Sequence, residues 1–455
     1  MKRYLVVGMA RSGVAAALLL AKKGFQVRIN DSKPLGELGE ALDCLKGYEN
    51  VEWRLGMPAV EAMDGVDEMI VSPGISVESA LVKAAEEKGI AVTGELELGY
   101  RMTRGDLLAI TGTNGKTTTT TLLGEIMKNA GKTTHVVGNI GIPYTSVAFD
   151  SKDEDVTVCE VSSFQMETAR EFHPVISAIL NLTPDHLNRH HTMENYLAMK
   201  KRVFANQAGE SEWLVLNYDD PALRPVAEEA KCRVAWFSRK QVPPYGAFVK
   251  DGAMVFGTKD EYRTVCEAAE IYIPGPHNLE NAMAAAVMAL LYGVPVPVIR
   301  HTLRTFQGVE HRIEFVREVS GVRFINDSKG TNADSTIKAV QTMTRSTVLI
   351  LGGSDKHVDF TELCTIIRDS GMIRRIVLIG DTAAQLAETL DKVGYTAYEH
   401  CGYDFRAAVE HAYDLARAGE NVLLSPACAS FDMFSDYEER GRVFKALARE
   451  LPEKA

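Results

Sequence analysis

The sequence predicts an α/β protein of three domains, and three observations carry the prediction. Short apolar runs of strand length alternate with helix-length segments along the chain, the pattern of mostly parallel sheets. The alternation restarts twice, with "DLLAIT" and again around "GVEHRIEFV". Finally, 455 residues exceed the size at which a single core usually keeps growing. The expected division is a Rossmann-like domain over 1–98, a central P-loop ATPase-like domain over 99–306 and a second Rossmann-like domain over 307–455.

In the first domain, "YLVV" (4–7) reads as a buried strand that stops at Gly8. "VAAALLLAKK" (14–23) follows as a helix ending near Gly24, and "QVRIND" returns as a strand finishing in Asp31. This is a βαβ unit, and "DEMIVSPGI" (67–75) supplies a later strand leading into a loop. The second domain opens with "DLLAIT", passes through "GTNGK" and continues as a helix through "TTTTTLLGEIMKNAG". Strands are expected at "VTVCEV" (156–161), "VISAILNL" (175–182) and "EWLVLN" (212–217), and the Ala-rich "PGPHNLENAMAAAVMALLYG" closes the domain as a helix. "VLILGG", "RIVLIG" and "NVLLSP" are strands of the third.

Composition narrows the function. A net charge of −11 disfavours a partner with a phosphate backbone or an anionic membrane surface. Seven scattered cysteines without a CxxC pair read as reduced thiols, not as a zinc knuckle or a disulfide framework. The opening "MKRYLVVGMARSG" has the basic start of a signal peptide, but Gly8, Arg11, Ser12 and Gly13 break its apolar run. No apolar run approaches the ~18 residues of a membrane span. A cytoplasmic, monomeric protein is expected.

Two loops invite phosphate. "GMARSG" (Gly8–Gly13) with Asp31 approximates the dinucleotide fingerprint, although Ala10 replaces its middle glycine. A tight strand–helix turn explains it equally well. The second, "AITGTNGKTTTT" (109–120), carries the Gly-Lys-Thr of a P-loop, yet the leading glycine is missing and Ile110 stands in its place. Its physical content survives. Gly112, Asn114 and Gly115 expose backbone N–H groups, the following helix aims its dipole at the same point, Lys116 neutralises phosphate and the Thr117 hydroxyl can ligate Mg²⁺. Downstream, Glu160 ends an apolar strand where an acid could hold the metal. Asp185 and His186 follow another strand, and Lys200 lies on the next helix. Three histidines (His186, His190, His191) could suggest zinc, but adjacent His190 and His191 point apart and no HExxH is present.

Taken in order, "GTNGKTT", "EVSSFQ", "DHLNRH", "YLAMKKRVF", "HNLENA", "HRIE", "NDSKGTN", "LGGSDK" and "SPACASFDMF" resemble the Mur ligase family, the ATP-dependent amide-bond-forming enzymes of peptidoglycan assembly. "EVSSFQ" and "SPACASFDMF" look like its D-glutamate-adding branch. The resemblance implies ATP, Mg²⁺ (two ions) and a CO₂-derived carbamate on Lys200, with UDP-N-acetylmuramoyl-L-alanine and D-glutamate as substrates. It implies that Gly112, Thr113, Asn114, Gly115, Lys116, Thr117 and Thr118 cradle ATP, together with Asn278, Arg312 and Asp327. Lys116, Glu160, His186 and Lys200 would be catalytic, and Thr117, Glu160, His186 and Lys200 would serve the metals. Ser12, Asp31, Ser72, Gly74 and Asn139 would contact the UDP substrate. Thr331, Lys356, Ser430 and Phe431 would hold D-glutamate, and Ser328 and Lys329 would bind substrate. Asn188 departs from the Asp often found at its place in the family.

Other classes remain to be separated. A nicotinamide-dependent dehydrogenase would use the Gly8 loop but leave "GTNGK" and "NDSKGTN" idle. A folylpolyglutamate-synthetase-like ligase shares the central machinery without a UDP-type first domain. A P-loop motor or transport ATPase would turn over ATP without an amino acid. An inactive binding protein would be expected to have lost Lys116, Glu160 or Lys200.

Overall fold

The computed structural model describes residues 2–354 and 358–454. The chain forms two compact units: one runs to Tyr272 and resumes over Asn278–Phe306, and the other comprises Ile273–His277 and the chain from Gln307 onward. Among the described residues the main strands form three sheets.

In the first unit, β1 (Arg3–Val7), β2 (Gln26–Asp31), β3 (Val51–Leu55), β4 (Glu68–Val71) and β5 (Ala91–Gly94) form a parallel sheet of order β3-β2-β1-β4-β5. The first helix, Arg11–Lys22, begins three residues before the expected position, so Ser12 and Gly13 lie in its first turn and not in the loop. Gly13 is needed for packing: a Cβ there would sit 1.8 Å from the Gly8 carbonyl oxygen.

The second sheet of this unit contains β6 (Asp106–Thr111), β7 (Thr134–Gly138), β8 (Val156–Glu160), β9 (Ile176–Ile179), β10 (Trp213–Asn217) and β11 (Arg233–Ser238), extended by β12 (Gly246–Lys250), β13 (Ala253–Gly257) and β14 (Tyr262–Glu267). Its order is β14-β13-β12-β11-β10-β9-β6-β8-β7. The inner strands β8, β9 and β10 are buried throughout, which is why they read as continuous apolar runs. The antiparallel β12–β13–β14 extension is an addition to the expected elements. Its first turn has Asp251 at φ 50° and Gly252 at φ 83°, the left-handed pair that Asp-Gly supplies in a tight hairpin.

Register fixes the functional edge. Ile110 pairs with Glu160 on one side, and Thr111 pairs with Ile179 on the other. The loops after β6, β8 and β9 therefore leave the same sheet edge together. The helix Pro276–Leu291, buried along most of its length, belongs to the same central part of the fold.

The second unit contains β15 (Glu314–Val319), β16 (Val322–Asn326), β17 (Thr347–Gly352), β18 (Ile373–Ile379), β19 (Tyr398–Gly402) and β20 (Asn421–Leu424), in the order β15-β16-β20-β17-β18-β19. Only the β15–β16 pair is antiparallel. The fold class is thus α/β with three parallel-rich sheets.

Candidate active site

The phosphate loop is held open by its neighbours. Gly115 caps the helix Lys116–Asn129 in the left-handed conformation at φ 82°, and an added Cβ would meet Asn281 Oδ1 at 2.2 Å. Asn281 also accepts from the Thr119 hydroxyl at 3.4 Å and donates to Asn278 Oδ1 at 3.3 Å. On the other side Asn181, at the end of β9, mimics a strand partner: its Oδ1 accepts the Asn114 N–H at 2.8 Å and its Nδ2 donates to the Asn114 carbonyl at 3.0 Å. Thr113 is fixed by the Thr183 carbonyl at 3.1 Å and the Tyr196 hydroxyl at 3.4 Å.

Two lysines converge on this loop. Lys116 Nζ donates to the carbonyls of Gly112 at 2.9 Å and Thr113 at 2.7 Å, and Lys200 Nζ donates to the same Gly112 carbonyl at 2.8 Å. Lys200 is only 1% exposed and lies 4.2 Å from the Tyr196 ring centroid. Burial, reinforced by the charge on Lys116, pushes its ammonium well below the ordinary lysine range. Nearby, Glu160 accepts from Asn139 Nδ2 at 2.7 Å through Oε1, whereas its buried Oε2 has no hydrogen-bond partner. The buried Thr118 hydroxyl is likewise unpartnered. Buried polar atoms without partners are uncommon and call for an explanation.

His186 begins the turn Leu187–His190 in the left-handed region at φ 55°, with its ring 4.7 Å from Phe164. His190 is buried against the Ser163 hydroxyl at 2.9 Å, while His191 faces Glu78 at 3.6 Å. His186 and His190 thus share the Phe164 and Tyr196 rings, and only His191 turns away. Among the described residues, no group of three or more His, Cys, Asp or Glu could hold a metal ion.

In the first sheet, Asp31 is committed to the glycine turn, its carboxylate accepting Met9 N–H at 2.7 Å and Lys33 N–H at 2.9 Å. Ser72 lies across the same turn, its hydroxyl 3.4 Å from where a Cβ on Gly8 would be. The Gly74 carbonyl accepts from Arg189 at 3.3 Å. Ser12 and Ala10 stand at the start of the first helix.

The second unit gathers the remaining residues around the ends of β16 and β20. Asp327 is buried, accepts the Ser425 hydroxyl at 2.7 Å and the Ile313 N–H at 3.2 Å, and is pushed up to about 6 by burial against the opposing pull of Arg312. Arg312 has a buried Nε without a partner and lies between His311 and Ile313, both at positive φ. Ser328 is fully buried, its hydroxyl donating to the Tyr437 carbonyl at 2.8 Å. Lys329 Nζ lies 5.3 Å from the Tyr437 ring, and the Thr331 N–H closes a turn onto the Lys329 carbonyl. Ser430 is buried, its carbonyl accepting two downstream N–H groups, and Phe431 is 73% exposed. Lys356 lies outside the described residues.

Sequence reading missed Asn181, Tyr196, Arg189, Tyr437 and Arg440. Tyr196 was detectable in principle, standing four residues before Lys200 on one helix face. Arg440 had no signal. It is fully buried and donates to Ser328 Oγ at 3.0 Å, Ser328 O at 2.8 Å, Ala429 O at 3.2 Å and Cys428 O at 3.1 Å.

A glycine loop opening a helix, two lysines on its Gly112 carbonyl and an unpartnered Glu160 oxygen suit a nucleotide-dependent enzyme. The chain belongs to the Mur ligase family. Residues 2–94 match the MurD-like N-terminal domain, 110–289 the Mur ligase middle domain and 311–428 the Mur ligase glutamate ligase domain. Proteins named UDP-N-acetylmuramoylalanine--D-glutamate ligase are similar over nearly the whole length. That of Caldanaerobacter subterraneus subsp. tengcongensis is 48% identical over 99% of this chain and 98% of its own, and that of Clostridioides difficile is 41% identical over 98% and 97%. Among solved structures, the UDP-N-acetylmuramate-alanine ligase MurC of Thermotoga maritima shares the fold at a TM-score of 0.63 and 17% identity, covering 99% of both chains.

Proposed function

We propose that this chain is an ATP-dependent ligase that joins D-glutamate to UDP-N-acetylmuramoyl-L-alanine in cytoplasmic peptidoglycan precursor synthesis. The observation that carries the reading is the convergence of Lys116 and Lys200 on the Gly112 carbonyl of the phosphate loop. The full-length similarity to D-glutamate ligases supplies the substrates. The L-alanine carboxylate attacks the γ-phosphate of ATP, releasing ADP and leaving an acyl phosphate. The D-glutamate amine then attacks that carbonyl and phosphate departs.

Lys116 and the loop N–H groups stabilise charge on the transferring phosphoryl group, with Thr113, Asn114, Thr117 and Thr118 shaping the cradle. Lys116 must leave its two loop carbonyls to do so, and phosphate oxygens replace them as acceptors. The residues fit Mg²⁺: Glu160 Oε2 is a buried carboxylate oxygen lacking a partner, and Thr117 and His186 are oxygen and nitrogen donors on the adjoining segments. Two ions, when bound, would neutralise phosphate charge. Lys200 is proposed to carry a carbamate, because it is buried against the phosphate loop and the modified side chain is an anionic oxygen donor. Ser12, Asp31, Ser72, Gly74 and Asn139 are proposed for the UDP substrate. Asn278, Arg312 and Asp327 are proposed for ATP, and Lys329, Thr331, Lys356, Ser430 and Phe431 for D-glutamate. Ser328 contributes by fixing its loop. The corresponding domains are 1–98, 99–306 and 307–455 of a monomer, and seven free cysteines support the cytoplasmic setting.

The test is phosphate release with UDP-N-acetylmuramoyl-L-alanine and ATP, offering D-glutamate, L-glutamate, L-lysine and diaminopimelate in turn. Release with D-glutamate alone is expected. Release only with another amine would overturn the assignment in favour of a related ligase. Lys200→Ala should be inactive and regain turnover with a short-chain carboxylic acid.

A further inference from the structure

The turn that follows His186 carries an arginine to which the proposed reaction gives no role. Arg189 reaches the first sheet's loops: its Nη1 donates to the Gly74 carbonyl at 3.3 Å and its Nη2 to the Ile75 carbonyl at 3.1 Å. The same guanidinium grips Glu167 through Nε at 2.9 Å and Nη2 at 2.5 Å. It also lies 4.6 Å from the centroid of Phe164, the ring that packs on His186. Arg189 and Glu167 side chains are only 15% and 8% exposed, so the pair is shielded from water. The planar fork satisfies a carboxylate and two carbonyls at once, which a lysine could not do.

The turn itself is strained. His186 and His191 flank it at φ 55° and 65°, conformations that non-glycine residues keep only when surrounding contacts impose them. One guanidinium therefore joins three segments: the loop Ser72–Ile75 after β4, the segment Phe164–Glu167 after β8 and the strained turn bearing His186.

We propose that Arg189, held by Glu167, is a positioning residue that keeps the Ser72–Ile75 loop in register with the His186 turn. The role rests on the reading above, in which Ser72 and Gly74 hold the UDP end of the substrate and His186 lies at its reacting end. The two ends of one long substrate are then placed by loops that share a single clamp, and small misplacements at the reacting end are costly.

Hydrogen exchange on the ligand-free protein tests the clamp, and steady-state kinetics test its purpose. In Arg189→Ala, exchange is expected to quicken in peptides covering 72–78 and 186–192 but not in β10. The kcat/KM for the UDP substrate should fall roughly ten- to a hundredfold. The KM for D-glutamate should stay within about twofold. Arg189→Lys should be intermediate. Glu167→Gln should act in the same direction, and the double variant should be little worse than the more impaired single variant, as expected for one coupled unit. Unchanged exchange in both peptides, or unchanged kcat/KM for the UDP substrate in Arg189→Ala, overturns the positioning role. Wild-type protein without D-glutamate-dependent phosphate release would instead overturn the functional reading, and the exchange result would still decide whether the clamp exists.

Discussion

Lys116, Lys200 and Asp327 illustrate how far a residue's chemistry departs from its letter. Lys116 was legible from the spelling "GTNGK" alone, because lysine after exposed amides at a helix start has few other uses. Its substitution by alanine should lower kcat by at least ~10²-fold with little change in thermal stability, read by phosphate release and calorimetry together. The lowered pKa of Lys200 could not be read from sequence, since its burial depends on contacts such as the Gly112 carbonyl, which arrives from another segment. Asp327 shows the same dependence. Its folded-state pKa is raised from 3.8 to about 6 by burial. The protonated form's contribution to stability is therefore complete below pH 3.8 and is lost as the pH rises through about 6. Asp327→Asn should remove this component, gaining up to roughly 3 kcal/mol over wild type at pH 8 relative to pH 3.5 while lowering activity. Paired thermal melts across that range check it.

At the scale of elements, glycine and asparagine set the loop geometry. Gly115 has φ 82°, and a Cβ there would collide with Asn281. Gly115→Ala should raise the KM for ATP and distort the helix start, measured by nucleotide titration. The strand-loop-helix pattern around it was legible because β6 has an apolar centre, Leu107 to Ile110, and the helix follows shortly after it. Asn181 was not, since one asparagine at a strand end looks like any other until its carboxamide pairs with Asn114. Arg440 is the clearest case of an invisible element contact. Arg440→Ala would strand three backbone carbonyls and empty a large buried volume, costing about 3–5 kcal/mol of stability in the second unit. Chemical denaturation monitored by a probe in that unit would show it.

At the scale of the whole molecule, ligand linkage reports the assembled nucleotide site. ATP with Mg²⁺ at 100 times its Kd should stabilise the wild-type protein by about 2.7 kcal/mol and leave Lys116→Ala nearly unaffected. Thermal shift across an ATP series measures this. The chain by itself determined the α/β class, the three successive blocks of strands and the phosphate loop. Those features depend on local periodicity and on turn residues whose roles are carried within a few positions. The tertiary structure decided which of the polar residues meet. It brought Glu160 to Asn139, Lys200 to Gly112 and Arg189 to Gly74, and it committed Asp31 to the Gly8 turn and Ser328 to the Tyr437 carbonyl. Such pairings join segments remote in sequence, and burial, which depends on the whole fold, sets the protonation of the groups they enclose.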